Sequence, residues 1–579
     1  YLAFATTTKS TGATAVGYKA LTACTGGSCI QNTAVGANAL LSLTNSFHNT
    51  AIGANAMKWS TTGYRSTAVG ESALANNVLG QDNTAIGYNA LTSNNGGANA
   101  WSYNVAVGTS ALWNSNGSHG NTAVGYKAAQ DHQGSVGIVA MGYQSLFSNT
   151  TGNYNTASGL EALRYNTTGS YNSAVGFRSL YANTTGENNT AIGYRALYTN
   201  TTGGYNTAIG YQALYANTSG NKNIALGHYA LTANTTGSQN TASGYYALAD
   251  NTTGNNNTAT GYYALANNTT GDANTSMGYR ALYTNTTADY NTAIGWESLY
   301  YNTTGSSNTA SGYNALKANT TGDNNTAIGK DALTANTTGA QNTAMGYQSL
   351  YANTTGSSNT ALGFAAGNLN QTGSNNVFIG DFTGESTTSG NNTAVGTSAM
   401  QKNTTGTSNV ALGYQASYSN TSGSGNVFLG YQAGYNETGS NKLYIANGTG
   451  NANRLIYGDF ATGNMTIGNG SGTINFSAST VNTGRLMMNG RAVSTVEYVN
   501  GAVNYMESLA GISAKDSNWA STSARLLADE GAAADDVKSG RSRHSDEDDA
   551  LFHSDAITGN MSLGVSGMGT VSVMNNLAV

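Results

Sequence analysis

Apolar and polar positions along this chain recur every 17 residues, which is neither the 3.6-residue period of a helix nor the unbroken alternation of a long strand. The stretch "NTAIGYQALYANTSG" at 206–220 shows the unit, and Asn206, Asn223, Asn240, Asn257, Asn274 and Asn291 open six successive copies. The same step runs from Asn155 to Asn376. Upstream it passes through Asn32, Asn49, Asn83, Asn104 and Asn121, with a four-residue insertion near "NNGGANAWSYN"; downstream it passes through Asn392, Asn409 and Asn426. The array spans 13–440, about 25 copies of N-T-A-[IVLM]-G-Y-x-A-L-Y-x-N-T-T-G-x-x, numbered below as positions 1–17.

Within one copy, positions 2 and 4 are β-branched or aliphatic in "NVFIG" and "NIALG", and the two-residue strand period puts them on one face. That face is expected to be buried. Gly at position 5 predicts a bend where a side chain would not fit or where φ is positive, a second short segment carries Ala at 8 and Leu at 9, and "NTTG" closes the unit as a turn in which Asn and Thr side chains bond the backbone. An α-helical solenoid is excluded: 17 residues holding two glycines leave no useful helix, and β-branched residues dominate. The prediction is an all-β fold, a parallel β-solenoid or β-roll with one coil per repeat. Coils about 4.8 Å apart would stack to on the order of 120 Å. The recurring asparagines would form coil-to-coil ladders, and Tyr at positions 6 and 10 would stack likewise. Such a coil has two short strands and buries little by itself, and Ser243, Thr260 and Ser311 even replace the aliphatic residue at position 4. Several chains sharing one core would remedy that, so a homotrimer is expected.

Composition supports this picture and removes others. Gly is 75 of 579 residues, Pro is absent and only 8% are charged, far below the roughly 25% of an ordinary soluble domain. Asn, Thr, Ser and Tyr supply the polar surface, as suits solvent outside a cell. A net charge of -5 gives no field for nucleic acid or anionic membrane, and no run reaches the roughly 18 apolar residues of a membrane span. No nucleophile elbow, H-E-x-x-H or P-loop occurs, so neither an enzyme nor a cofactor is expected. Cys24 and Cys29 flank "TGGS" and form either a short disulfide or two free thiols. "NTT" formally matches a glycosylation acceptor, but the turn role is the stronger reading. The 37 tyrosines invite a sugar-binding proposal, although packing and outer cladding account for most of them.

The phrase "NTAIGYQAL" resembles the "NSVAIGxxS" phrase of trimeric autotransporter adhesin heads. The longer "NTAIGYQALYANTTG", with "NVFLGYQAGYNETGSNKLYIANG" and "LIYGDFATGNMTIGNG", resembles phage tail-fibre and related bacterial fibre proteins over residues 13–470. The adhesin repeats are shorter than 17. The resemblance implies a homotrimeric, extracellular fibre on a virion tail or cell surface, held by a baseplate or surface anchor and engaging a cell-surface receptor such as a carbohydrate. Alternatives are a bacterial surface adhesin or filament and, more distantly, an ice- or surface-binding repeat protein. Many such fibres carry a self-cleaving C-terminal chaperone that opens with a Ser-Asp pair followed by basic and apolar residues; no convincing copy of that domain follows here.

Beyond the array, 1–12 is an N-terminal segment and 441–490 reads as a small β region. Residues 491–514 carry an apolar stripe, Val496, Val499, Val503, Met506 and Ala510, either a trimeric coiled-coil neck or an amphipathic helix packed on the β region. Residues 515–579 form an acidic tip or tail, nominated as the receptor-contacting end because the composition changes there: 12 of the 27 acidic residues follow Thr495. His544, Asp546, Glu547, Asp548, Asp549, His553 and Asp555 lack the spacing of a calcium or zinc site and read as a solvated acidic loop.

Overall fold

The computed structural model describes residues 11–24, 29–93 and 102–468, with the backbone of 486–488 and 491–493. It divides into two compact units between Thr466 and Ile467. The first unit holds the array as a parallel β-solenoid. Its 25 three-residue strands, β1 (Thr14–Val16) to β25 (Val427–Leu429), fall one to each repeat. Equal repeat positions pair, as in Thr190↔Thr207, Ala191↔Ala208 and Ile192↔Ile209. Backbone pairing continues around the turn, where Leu214 N donates to Ala230 O and Ala216 N to Thr232 O at 2.9 Å each.

Two expectations are corrected. Each turn carries one strand, not two: the segment with Ala at 8 and Leu at 9 is a succession of turns, with φ +53° at Leu214. More consequentially, the strand faces are the reverse of those expected. The residue between positions 2 and 4 points inward: Ala208 is fully buried, while Thr207 is half-buried and Ile209 is 40% exposed. The reason is volume. The interior of so short a coil holds one methyl from position 3 beside Ala at 8 and Leu at 9, so strand alternation turns positions 2 and 4 outward.

The exceptions confirm the volume argument. Phe378 and Phe428 stand at position 3, both fully buried. Around them Leu at position 9 has become Gly. A Cβ on Gly367 or Gly384 would lie 2.7 or 2.3 Å from the Phe378 ring, and one on Gly434 2.1 Å from that of Phe428. Large at one site is matched by small at the facing site.

At position 5 the bend is tight enough to require glycine. Gly210 has φ +140°, and a Cβ there would sit 2.4 Å from the carbonyl oxygen of Gly227, the same position one turn on. The coils touch backbone to backbone at this corner.

The array ends on a cap. Strand β26 (Lys442–Ala446) continues the parallel stack from β25 and pairs antiparallel with β27 (Arg454–Asp459). Reversing direction covers an edge that would otherwise template another chain. Tyr444 fills the end of the core between Phe428 and Tyr457, and Lys442 Nζ meets Asp459 Oδ2 at 2.7 Å. Residues 441–466 thus belong to the same compact unit as the array. In the second unit, Leu486–Met488 and Arg491–Val493 form an antiparallel pair. The stripe Val496, Val499, Val503, Met506 and Ala510, the acidic residues from His544 to Asp555 and the nominated tip 515–579 lie outside the described residues.

Candidate interaction surface

The asparagine ladder at position 1 is present. Asn223 N donates to Asn206 Oδ1 at 2.9 Å, Asn240 N to Asn223 Oδ1 at 3.0 Å, and the contacts Asn257 to Asn240, Asn274 to Asn257 and Asn291 to Asn274 repeat it at 2.9 Å. Each amide also donates across the coil to position 15, as Asn206 Nδ2 does to Gly220 O at 2.9 Å. These side chains are fully buried and fully used, a structural role.

A second ladder was hidden in the "NTT" turn. Asn217 Nδ2 donates to Asn200 Oδ1 at 2.7 Å and to Gly220 O at 3.0 Å, and Asn234 Nδ2 donates to Asn217 Oδ1 at 2.8 Å. Thr218 Oγ1 adds a third rung to Thr235 O at 3.0 Å. The turn reading captured the local bond but not the stacking, although the 17-residue recurrence of this Asn signalled it. Because position 12 is fully buried at Asn200, Asn217 and Asn234, a glycan there is incompatible with the fold.

In the earlier turns position 12 is irregular: Ser60, Ser115 and His132 replace Asn. His132 is fully buried, with Nδ1 3.3 Å from Asn149 Nδ2, and burial holds its pKa down at about 4. Its Nε2, with Ser60 Oγ, Asn83 Nδ2, Ser115 Oγ and Ser118 Oγ, has no partner. Cys24 and Cys29, in the first turns, are disulfide-bonded with Cα atoms 6.2 Å apart.

Outside the core, aromatic residues stack as ladders. Tyr194 and Tyr211 at position 6 lie 5.0 Å apart at 7°; Tyr181, Tyr198 and Tyr215 at position 10 follow at 5.0 and 5.2 Å, both at 3°. A ring stacked on both sides, such as Tyr198, presents only its edge and hydroxyl, so ring faces open to a sugar are confined to the ladder ends. A shallow groove of about 380 Å³ is lined by Tyr205, Asn221, Lys222, Ser238 and Gln239. Its Asn221 and Ser238 are already bonded to one another, to Gly204 N and to nearby carbonyls. Among the described residues no group of three His, Cys, Asp or Glu could hold a metal, and no helix is long and apolar enough to cross a membrane.

What remains is the outward strand face. Position 4 is aliphatic in 21 of the 25 strands, and the other four hold Ser158, Ser243, Thr260 and Ser311. Side chains such as Ile192, Ile209, Met277 and Ile294 are each 40–44% exposed. They form one column in register, with the threonine-rich position 2 beside it and the aromatic column of position 6 beyond the bend. Sequence reasoning placed this face inside; the clue to the contrary was position 3, which is Ala in 22 of 25 strands and therefore the most size-restricted.

Comparison with protein-family models, curated proteins and solved structures gives no match to this chain.

Proposed function

We propose that this chain is the shaft of a homotrimeric extracellular fibre that attaches a particle to a cell surface, most nearly of the phage tail-fibre kind, with a bacterial surface adhesin as the alternative bearer. The observation that carries the multi-chain reading is the outward aliphatic column. About twenty aliphatic side chains, most near 40% exposed, amount to on the order of 1,000 Å² of apolar surface in one column, broken only at four polar positions. That exceeds the few hundred Å² typical of a monomer and matches the roughly 800 Å² per partner of a stable interface. Attachment itself rests on the resemblance of "NTAIGYQALYANTTG" and the sequence closing the array to fibre proteins. The receptor and the anchoring particle follow from that resemblance alone.

One observation favours a second reading. Position 2 is Thr in 18 of 25 strands and faces outward, so a single chain presents a flat lattice spaced about 4.8 Å along the stack and about 7 Å across it. Such a face could template an ordered surface such as ice. Light scattering separates the two. A mass near three times 59.2 kDa supports the fibre, whereas a mass of one chain with thermal hysteresis in freezing water supports the lattice binder and sinks the fibre.

A further inference from the structure

A periodic shaft poses a problem that a globular interface does not. If copies lie side by side with equal turns at equal height, sliding one copy by a whole turn of 17 residues replaces every contact by a nearly identical one. An array of identical turns would have many near-equivalent alignments, as flat and repetitive strands do. Resting on the trimer reading above, we propose that Ser158, Ser243, Thr260 and Ser311 fix the axial alignment of the copies, acting as the polar interruptions of an otherwise aliphatic seam.

Two features of the structure support this. All four stand at position 4, on the outward face and in the aliphatic column, in the 9th, 14th, 15th and 18th strands. Their six pairwise separations in turns are 1, 3, 4, 5, 6 and 9, and no two are equal. Sliding one copy past another by any whole number of turns therefore aligns at most one polar residue with another. Only the unshifted alignment matches all four. Under cyclic symmetry, residues near the axis meet their own counterparts, so hydroxyl faces hydroxyl and aliphatic faces aliphatic. In every alignment shifted by one to eight turns at least three hydroxyls per copy face aliphatic side chains without a hydrogen-bond partner, which is costly, and larger shifts leave more than a third of the column uncovered. A lone polar residue in a coiled-coil seam selects register in the same way. Four at unequal intervals exclude every whole-turn shift.

The test is a full-length chain carrying Ser158→Val, Ser243→Ile, Thr260→Ile and Ser311→Ile. Each new residue occupies position 4 elsewhere in the array, so the fold tolerates it. A spin label is placed on Thr321→Cys, an exposed corner, in both chains, and inter-copy distances are read by pulsed dipolar spectroscopy beside the mass in solution. The expected result is an unchanged multi-chain mass in both, one narrow distance for the unaltered seam, and a broad set including axial offsets in steps of about 4.8 Å for the four-fold variant. A narrow distance in both chains overturns the proposal while leaving the fibre intact, and assigns alignment to the ends. A single-chain mass for the unaltered seam overturns both.

Discussion

The turns from residue 155 to 375 and those before residue 138 share one backbone path, yet they are held together differently. In the later stretch every position 1 and position 12 is Asn, and none of those amides has an unpartnered atom. In the earlier stretch position 12 is Ser at 60 and 115 and His at 132, and partnerless buried atoms gather at Ser60, Asn83, Ser115, Ser118 and His132. Backbone pairing between coils is thus common to both regions, while the side-chain ladders are complete in only one. In a solenoid each coil depends on its two neighbours, so a broken ladder weakens the stack locally.

The largest contrast is expected where coils touch backbone to backbone. Gly227→Ala places a Cβ 2.5 Å from Gly244 O at φ +135°, forcing two turns apart, and should cost about 4 kcal/mol or more. Gly117→Ala, in the irregular region, has φ +71° and nothing within 4 Å, and should cost only about 1–2 kcal/mol. Denaturant unfolding of the two variants checks the pair; equal losses would mean that contact between coils is not what fixes position 5.

Acid should open the earlier region first. The folded chain holds His132 neutral to about pH 4, whereas the unfolded chain takes up that proton near pH 6.5. The stability contributed by keeping the imidazole neutral is present above 6.5, falls as the pH drops, and is lost by about 4. The size is about 3 kcal/mol. Hydrogen exchange, corrected for its intrinsic pH dependence, should show turns near 115–149 losing protection between pH 6.5 and 4 while turns near 250 do not. His132→Asn should remove the difference.

Smaller effects separate the ladders themselves. Asn251→Ala removes a donor that bonds both Asn234 Oδ1 at 2.8 Å and Gly254 O at 3.0 Å; Gly254 O keeps Asn240 Nδ2, but the buried Asn234 Oδ1 is left unpaired, and the change should cost about 2 kcal/mol. Ser115→Ala deletes a hydroxyl that has no partner and should be neutral or slightly stabilising. If both prove neutral in thermal unfolding, the asparagines are packing units and the ladder account fails.

The period, the parallel stacking, the asparagine ladder at position 1 and the glycine bend could be read directly from the chain, because each leaves an unmistakable 17-residue recurrence. The orientation of the strand could not be read from aliphatic character. Ile209 is large and apolar but lies outside; Ala208 is small and lies inside, because the coil has room only for a methyl. Hydrophobicity reports what prefers to leave water, and in a thin coil the scarce quantity is interior volume. Phe378 with Gly384 states the same rule in reverse. The second ladder, at Asn217, was masked by the familiar chemistry of an Asn-Thr turn.

The central claim is that the column displaced from the coil interior is covered by other copies of the chain. The most direct measurement is the solution mass of the full chain beside a variant with Ile192→Lys, Ile209→Lys and Ile294→Lys, three outward positions whose change should leave the single coil folded. The account predicts three times 59.2 kDa for the unaltered chain and a single-chain mass, with unchanged circular dichroism, for the variant. Equal masses for the two would contradict it.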